Sequence, residues 1–297
     1  MSDANKPTVG FIGLGLMGSR MAGRLLDAGY PLIVYNRTAD KAKPLVDRGA
    51  KLAESPGELA ERSAFVISML TNGQAALQMA FGDAGTIAHA KPGTVLIEMS
   101  TVSPTVTRAI AEKAKQADLA DLDAPVSGST PQAEQGKLMI FVGGESAAFE
   151  KAQPILSVLG QPTHLGPSGS GSIMKVVVNA LLGIGIAALS EATDLALKAG
   201  LDPARFFDTL SQTAVITPAQ KGKIPNLRSG QYPTQFPLKH MHKDMGLALS
   251  ESAAANAPLP LTAAAAQQIT AAMSAGLGEQ DVSAVAALAK KLSQKPA

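Results

Sequence analysis

Between Thr8 and Gly166 the chain alternates short, almost continuously apolar runs with longer segments whose apolar residues recur at helical spacing. TVGFI, PLIVY, AFVISML, TVLIEM, ADLDAPV and KLMIFVGG are the predicted strands. Strands apolar on both faces belong to a covered sheet, and parallel neighbours need helical crossovers, so the pattern predicts a doubly wound α/β domain. After THLGPSGSG, residues 163–171, the strand pattern stops and Ala- and Leu-rich helical segments take over. The expected domains are therefore 1–166, α/β, and 167–297, all-helical. A helix over residues 172–199 would run roughly 42 Å at about 1.5 Å per residue, long enough to cross a domain interface. Gly200 closes it, Asp202 and Pro203 open the next helix, and KGKIPNLRSGQYPTQFP precedes another helical run.

Residues 172–192 read SIMKVVVNALLGIGIAALSEA, almost wholly apolar apart from Lys175 and Asn179 near the start. Positions i and i+4 share a helix face, so these two project together from an otherwise buried surface. The longest uncharged run, residues 176–190, is shorter than the roughly 18 residues of a membrane span, which makes a buried helix the expectation. Two readings of the lysine stay open. It snorkels from a helix end beside a solvent-facing asparagine, or it does chemistry.

Composition narrows the chemistry. A chain of 297 residues, 46% hydrophobic and 17% charged, has the length of about two globular domains. A net charge of +2 without a basic run gives no support for nucleic-acid or membrane partners, which favours a small-molecule substrate. The absence of cysteine excludes disulfides, thiol nucleophiles and cysteine-type zinc sites. The start MSDANKPTVGFIGLG lacks the pattern of a signal peptide, so the expected location is cytoplasmic. His240 and His242, two apart on a predicted helix, face different ways, and no metal site is expected.

The first strand leads into Gly13-Leu14-Gly15-Leu16-Met17-Gly18, a GxGxxG run between an apolar strand and an amphipathic helix. Gly13 permits the tight turn, Gly15 lets backbone approach a pyrophosphate, and Gly18 allows close helix packing. The helix N-terminus offers unpaired N–H groups to the phosphates. NAD-specific folds usually carry an acidic residue after the second strand. Here stands Asn36-Arg37-Thr38, where Arg37 can make charge-assisted bonds to a 2′-phosphate, helped by Asn36 and Thr38. The expected cofactor is NADP, as NADPH; an ordinary exposed role for Arg37 is the alternative.

In order and spacing, FIGLGLMGSRMAGRL, DAPVSGS, GSGSIMKVVVN and FPLKHMHKDMGLAL resemble the motifs of the β-hydroxyacid dehydrogenase family, which includes the 3-hydroxyisobutyrate dehydrogenases. VYNRT, EMSTV, PVSGS, KVVVN, KGKIP and FPLKHMHKDM are most similar to its glyoxylate/succinic semialdehyde reductase branch. Ser129 stands where many family members carry a second glycine, which departs from the wider pattern and agrees with that branch. The resemblance implies a Rossmann domain, a long interdomain helix and an all-helical domain, with the active site in the cleft between them. It also implies roles. Lys175 is the catalytic residue and Asn179 its positioning neighbour. Ser127, Gly128 and Ser129 bind a substrate carboxylate, and Thr101 lies where nicotinamide and substrate meet. Leu70 and Thr71 touch the cofactor, Phe236 and Asp244 border the substrate, and Lys243 reaches the cofactor or helps organise the site.

The implied chemistry is hydride addition to an aldehyde carbon, whose oxygen becomes an alkoxide unless a proton arrives with it. An ammonium beside that oxygen stabilises the charge and donates the proton, and an apolar setting favours its giving the proton up. The expected activity is NADPH-dependent reduction of small carboxylate-bearing aldehydes, glyoxylate or succinic semialdehyde, to hydroxy acids. The expected assembly is a homodimer or homotetramer built on the long helix. An imine reductase on the same scaffold and a catalytically silent NADP-binding protein are the rivals, and Lys175 argues against both. Blander structural readings stand beside each residue: a polar turn for Ser127–Ser129, helix caps for Ser100 and Thr101 before Pro104, a surface carboxylate for Asp244 and core packing for Phe236.

Overall fold

The computed structural model describes residues 6–288, so residues 1–5 and 289–297 of the two expected domains lie outside it. Nine strands form one sheet: β1 (Val9–Ile12), β2 (Leu32–Tyr35), β3 (Lys51–Leu52), β4 (Phe65–Ser68), β5 (Val95–Glu98), β6 (Ala120–Asp123), β7 (Val126–Ser127), β8 (Leu138–Gly144) and β9 (Gly160–Gly166). Their order is β3-β2-β1-β4-β5-β6-β8-β7, with β9 on β8. β1 to β6 pair in parallel, β8 runs antiparallel to β6 and β7, and β9 is parallel to β8. The order 3-2-1-4-5-6 is that of the dinucleotide-binding Rossmann fold, and the chain reverses direction across the sheet between β1 and β4.

Alternation within each strand explains the apolar runs. Val9 and Phe11 of β1, with Leu32 and Val34 of β2, pack on one face against Met21, Ala22 and Leu25 of the helix Gly18–Asp27. Ile12, Ile33, Val66 and Leu96 fill the other face against Leu59, Ala60 and Ala114. Both faces are covered, as a parallel sheet requires.

One strand expectation needs correction, and two strands were not expected. ADLDAPV divides into β6 and β7 around Ala124 and Pro125, because proline has no N–H for a continuous ladder. β3 consists of two exposed residues, and β9 alternates exposed and half-buried positions through GQPTHLG, so neither carries an apolar run. β9 carries the strand pattern on to Gly166, well past the last apolar run, which ends at Gly144.

By internal contacts the chain divides between Lys175 and Val176, within the helix Ser170–Lys198. Among the described residues of the second unit every named element is helical, with one isolated bridge between Pro237 and Asp281. Asp202 caps the helix Pro203–Leu210 by accepting the Arg205 N–H at 2.9 Å. Ile186 and Ala187 of the long helix pack with Leu238, Met241 and Met245 of Leu238–Ala255 and with Ala265, Ile269 and Ala272 of Pro260–Ser274. Ser170–Lys198 as a whole is long and apolar enough to cross a membrane, although its longest uncharged run is not. Its buried residues Ile186 and Ala187 nevertheless pack in the core of this unit.

Candidate active site

The glycine loop follows β1 at the switch point, where α/β folds place their ligands. Gly13 has φ +95°, and a Cβ there would lie 2.3 Å from the Met69 carbonyl oxygen. A Cβ on Gly18 would lie 1.9 Å from the carbonyl of Gly13, so the helix start and the turn fit only without side chains. At Gly15 a Cβ would meet nothing within 4 Å, which leaves open space above exposed backbone. That cradle, at the start of the helix Gly18–Asp27, fits a pyrophosphate. Leu14 is buried, Met17 packs partly against the core, and Leu16 is exposed.

Asn36, expected beside a ribose phosphate, has its amide engaged on the loop itself. Its Oδ1 accepts the Leu14 N–H at 2.9 Å and its Nδ2 donates to the Thr38 carbonyl at 2.8 Å. It therefore ties the end of β2 to the turn after β1. Arg37 and Thr38 are exposed just beyond β2.

A buried carboxylate that the pattern did not single out organises the next edge. Glu98 accepts from Ser68 Oγ and from the Ser100 N–H, each at 2.7 Å, while Ser100 Oγ accepts the Leu70 N–H at 2.6 Å. This bracket joins the ends of β4 and β5 and fixes the backbone at Leu70 and Ser100, next to Thr71 and Thr101. Leu70 and Thr101 are half-buried and Thr71 is exposed. The capping role considered for Ser100 and Thr101 belongs to Ser103, whose Oγ accepts the Val106 N–H at 3.2 Å. Beyond β6, Ser127 ends β7 and Gly128 has φ +133°. Ser129 and Gln132 form a capping box at the start of the helix Thr130–Gln135, and the Ser129 N–H donates to Gln132 Oε1 at 2.9 Å.

Lys175 is half-buried one turn before Asn179 on the long helix. Asn179 is 2% exposed, so the solvent-facing alternative does not hold, and its Nδ2 donates to Asp244 Oδ2 at 2.6 Å. Asp244 is buried too, not a surface carboxylate, and Lys243 Nζ lies 3.0 Å from its Oδ1. Phe236 packs partly against the core of the second unit. Its N–H donates at 3.1 Å to Asp281, a fully buried carboxylate absent from the sequence-based set. Burial pushes the Asp281 carboxyl up, but hydrogen bonds from Lys223, Ser283 and the Phe236 N–H, with the Lys223 charge, outweigh this and leave its pKa below the ordinary value. His240 is half-buried beside Phe236, and burial together with the Lys243 charge holds its pKa below the usual histidine value. Among the described residues no group of three His, Asp or Glu is arranged to hold a metal ion.

Comparison with known proteins agrees with this architecture. The family profile described as the NAD binding domain of 6-phosphogluconate dehydrogenase matches residues 8–176. The profile described as the NAD-binding region of NADP-dependent 3-hydroxyisobutyrate dehydrogenase matches residues 169–289. Glyoxylate/succinic semialdehyde reductase 1 of Arabidopsis thaliana is 40% identical over 278 residues, covering 93% of this chain and 96% of the relative. The crystal structure of a 3-hydroxyisobutyrate dehydrogenase from Salmonella typhimurium superposes with a TM-score of 0.87 at 30% identity, covering 95% of this chain and 100% of that one. An imine reductase from a Pseudomonas species is more distant, with a TM-score of 0.60 at 25% identity, covering 96% of this chain and 99% of that one. The fold and these full-length matches define an NAD(P)-dependent oxidoreductase acting on the CH–OH group of hydroxy acids. The chain belongs to the β-hydroxyacid dehydrogenase family, the group of the 3-hydroxyisobutyrate dehydrogenases.

Proposed function

We propose that this enzyme uses NADPH to reduce small aldehydo acids, glyoxylate or succinic semialdehyde, to their hydroxy acids, with Lys175 as general acid. The observation that carries the reading is the 40% identity, over almost the full length of both chains, to a relative named for those two substrates. The preference for NADPH is supported by the exposed Arg37 and Thr38 after β2, where no carboxylate stands to repel a 2′-phosphate. We assign residues 1–166 to the nucleotide and 167–297 to substrate and assembly.

NADPH, when bound, supplies the hydride. Gly13 to Gly18 and the helix start hold the pyrophosphate, Arg37 and Thr38 the ribose phosphate, and Leu70, Thr71, Thr101 and Lys243 the remaining cofactor surface. Ser127, Gly128 and Ser129 bind the substrate carboxylate, for which the positive-φ turn at Gly128 just beyond β7 is the supporting feature. Lys175 donates its proton to the carbonyl oxygen as negative charge develops there, and its charge stabilises that oxygen beforehand. Asn179 adds a neutral dipole one turn away, its amide fixed by Asp244. Phe236 and Asp244 border the substrate. The exposed Val177, Leu181 and Leu195 on the long helix support assembly as a homodimer or homotetramer, and we assign the enzyme to the cytoplasm.

NADPH oxidation measured against glyoxylate, succinic semialdehyde and a cyclic imine tests the reading. Turnover of either aldehydo acid, with NADH a much poorer donor, is the expected outcome. Turnover of the imine alone would transfer the chain to the imine reductases, and NADPH binding without turnover of any of the three would make it a silent binding protein.

A further inference from the structure

The first N–H groups of an α-helix have no intrahelical partner, and a side chain just before the helix usually accepts one of them. The helix Ser170–Lys198 instead takes its acceptor from the sheet, 46 and 49 residues back in the chain. Asp123, fully buried at the end of β6, accepts the Gly169 N–H on Oδ1 at 2.8 Å and the Ser172 N–H on Oδ2 at 2.6 Å. Ser172 in turn bonds Thr107 Oγ1 of the helix Pro104–Gln116 through its own Oγ, at 2.9 Å. Two glycines make this docking possible. A Cβ on Gly143 would lie 2.4 Å from Asp123 Oδ1, and one on Gly171 would lie 2.2 Å from the Phe141 carbonyl oxygen. Lys175 follows Ser172 by three residues and is the last residue of the first compact unit, whereas Asn179 and Asp244 fall in the second.

We infer that Asp123 is a positioning residue for the reduction: by gripping the first turn of the long helix it holds Lys175 in register with the nucleotide-binding sheet. A carboxylate is suited to this, because both oxygens accept and its charge complements the positive end of the helix dipole. The turn after β1, which would hold the nucleotide, and the first turn of the helix that carries Lys175 are thus both tied to one sheet. Misplacement of a reacting group by about 1 Å costs on the order of 100-fold in rate, so a loosened first turn is felt in the chemical step. The inference rests on Lys175 being the proton donor.

The test is a double-mutant cycle on single-turnover reduction of glyoxylate at saturating NADPH, using Asp123→Asn, Lys175→Ala and the pair. The asparagine keeps the shape but turns an NH₂ toward one of the two N–H donors. Asp123→Asn is expected to slow reduction by roughly 10- to 100-fold with NADPH affinity unchanged. In the Lys175→Ala background the same change is expected to alter the rate by less than about twofold. Equal losses in both backgrounds would show that Asp123 serves the fold alone, and the inference would fall while the lysine reading stood. An undiminished rate in Lys175→Ala by itself would remove that reading and the inference with it. Should Asp123→Asn not fold, Thr107→Val, which removes the Ser172 hydroxyl's partner, enters the same cycle with a smaller expected loss. Additivity there overturns the inference equally.

Discussion

Asp281 offers the sharpest test of how the second unit is held together. Its Oδ2 accepts from Lys223 Nζ at 2.8 Å and from the N–H groups of Phe236 and Gln235 at 3.1 and 3.2 Å. Its Oδ1 accepts from Ser283 Oγ at 2.7 Å and the Ser283 N–H at 3.1 Å. In Asp281→Asn an NH₂ must face one of these donor sets, and Lys223, only 13% exposed in its side chain, loses its counter-charge. Breaking a buried pair on one side costs about 3–5 kcal/mol. Because Lys223 retains some access to water, the lower end, about 3 kcal/mol, is the expected loss. With a slope of about 2 kcal/mol/M, this lowers the urea midpoint by about 1.5 M, read by far-UV circular dichroism at pH 7 on the full chain. The pH dependence follows from the depressed pKa of Asp281. Its contribution is fully present above the unfolded value near pH 4, and is lost as pH falls through the lower folded value. The gap between wild type and Asp281→Asn therefore closes on acidification. A midpoint at pH 7 within about 0.3 M of wild type, or a gap that persists into strong acid, would refute the reasoning.

Asp121 carries the opposite sign: burial first, then the charges of Asp123 and Glu98, push its pKa well above the ordinary value, and its Oδ2 is buried without a partner. Its ionised form costs stability, by an amount that grows as pH rises from about 4 through the raised folded value, so Asp121→Asn should raise Tm at pH 8 and leave it unchanged at pH 3. The gain is about 2–4 °C per kcal/mol relieved, and a lower Tm at pH 8 by calorimetry would contradict this. Arg37→Asp should weaken NADPH binding by at least about 10-fold while sparing NADH, as charge-assisted bonds to the ribose phosphate disappear; equal losses in a fluorescence titration would reject the assignment. Lys175→Ala should slow single-turnover reduction by roughly 10²–10⁴-fold with NADPH affinity retained, and Asn179→Ala should slow it less. Near-normal chemistry in Lys175→Ala would mean that the lysine only snorkels. Sedimentation at micromolar concentration should give a dimer or larger, and a stable monomer would count against assembly on the long helix.

What could be read from the sequence and what could not divide along one physical line: the distance over which the information is local. Parallel strands buried on both faces write themselves as apolar runs, and the turn after β1 needs its glycines within six consecutive residues, so the core of the sheet and the cradle at Gly15 were both legible. β9 was not, because a half-exposed edge strand containing Pro162 has no apolar run to betray it. The long helix could be read as a helix, but not the grip on its start, since Asp123 lies on another element more than forty residues away. The same holds for Glu98, which ties β4 to β5, and for Asp281, whose bond to Phe236 spans 45 residues. Each of these carboxylates sits in an otherwise apolar or turn-rich stretch, where a single acid looks like a surface residue until its partners are seen. Burying an acid is costly unless it is satisfied, and in this chain three of them are satisfied by backbone N–H groups at the ends of elements that carry candidate site residues. An acid inside an apolar strand or beside a turn thus had a signal after all: the cost of burying it requires a partner, and the chain's loose ends are where such partners are found.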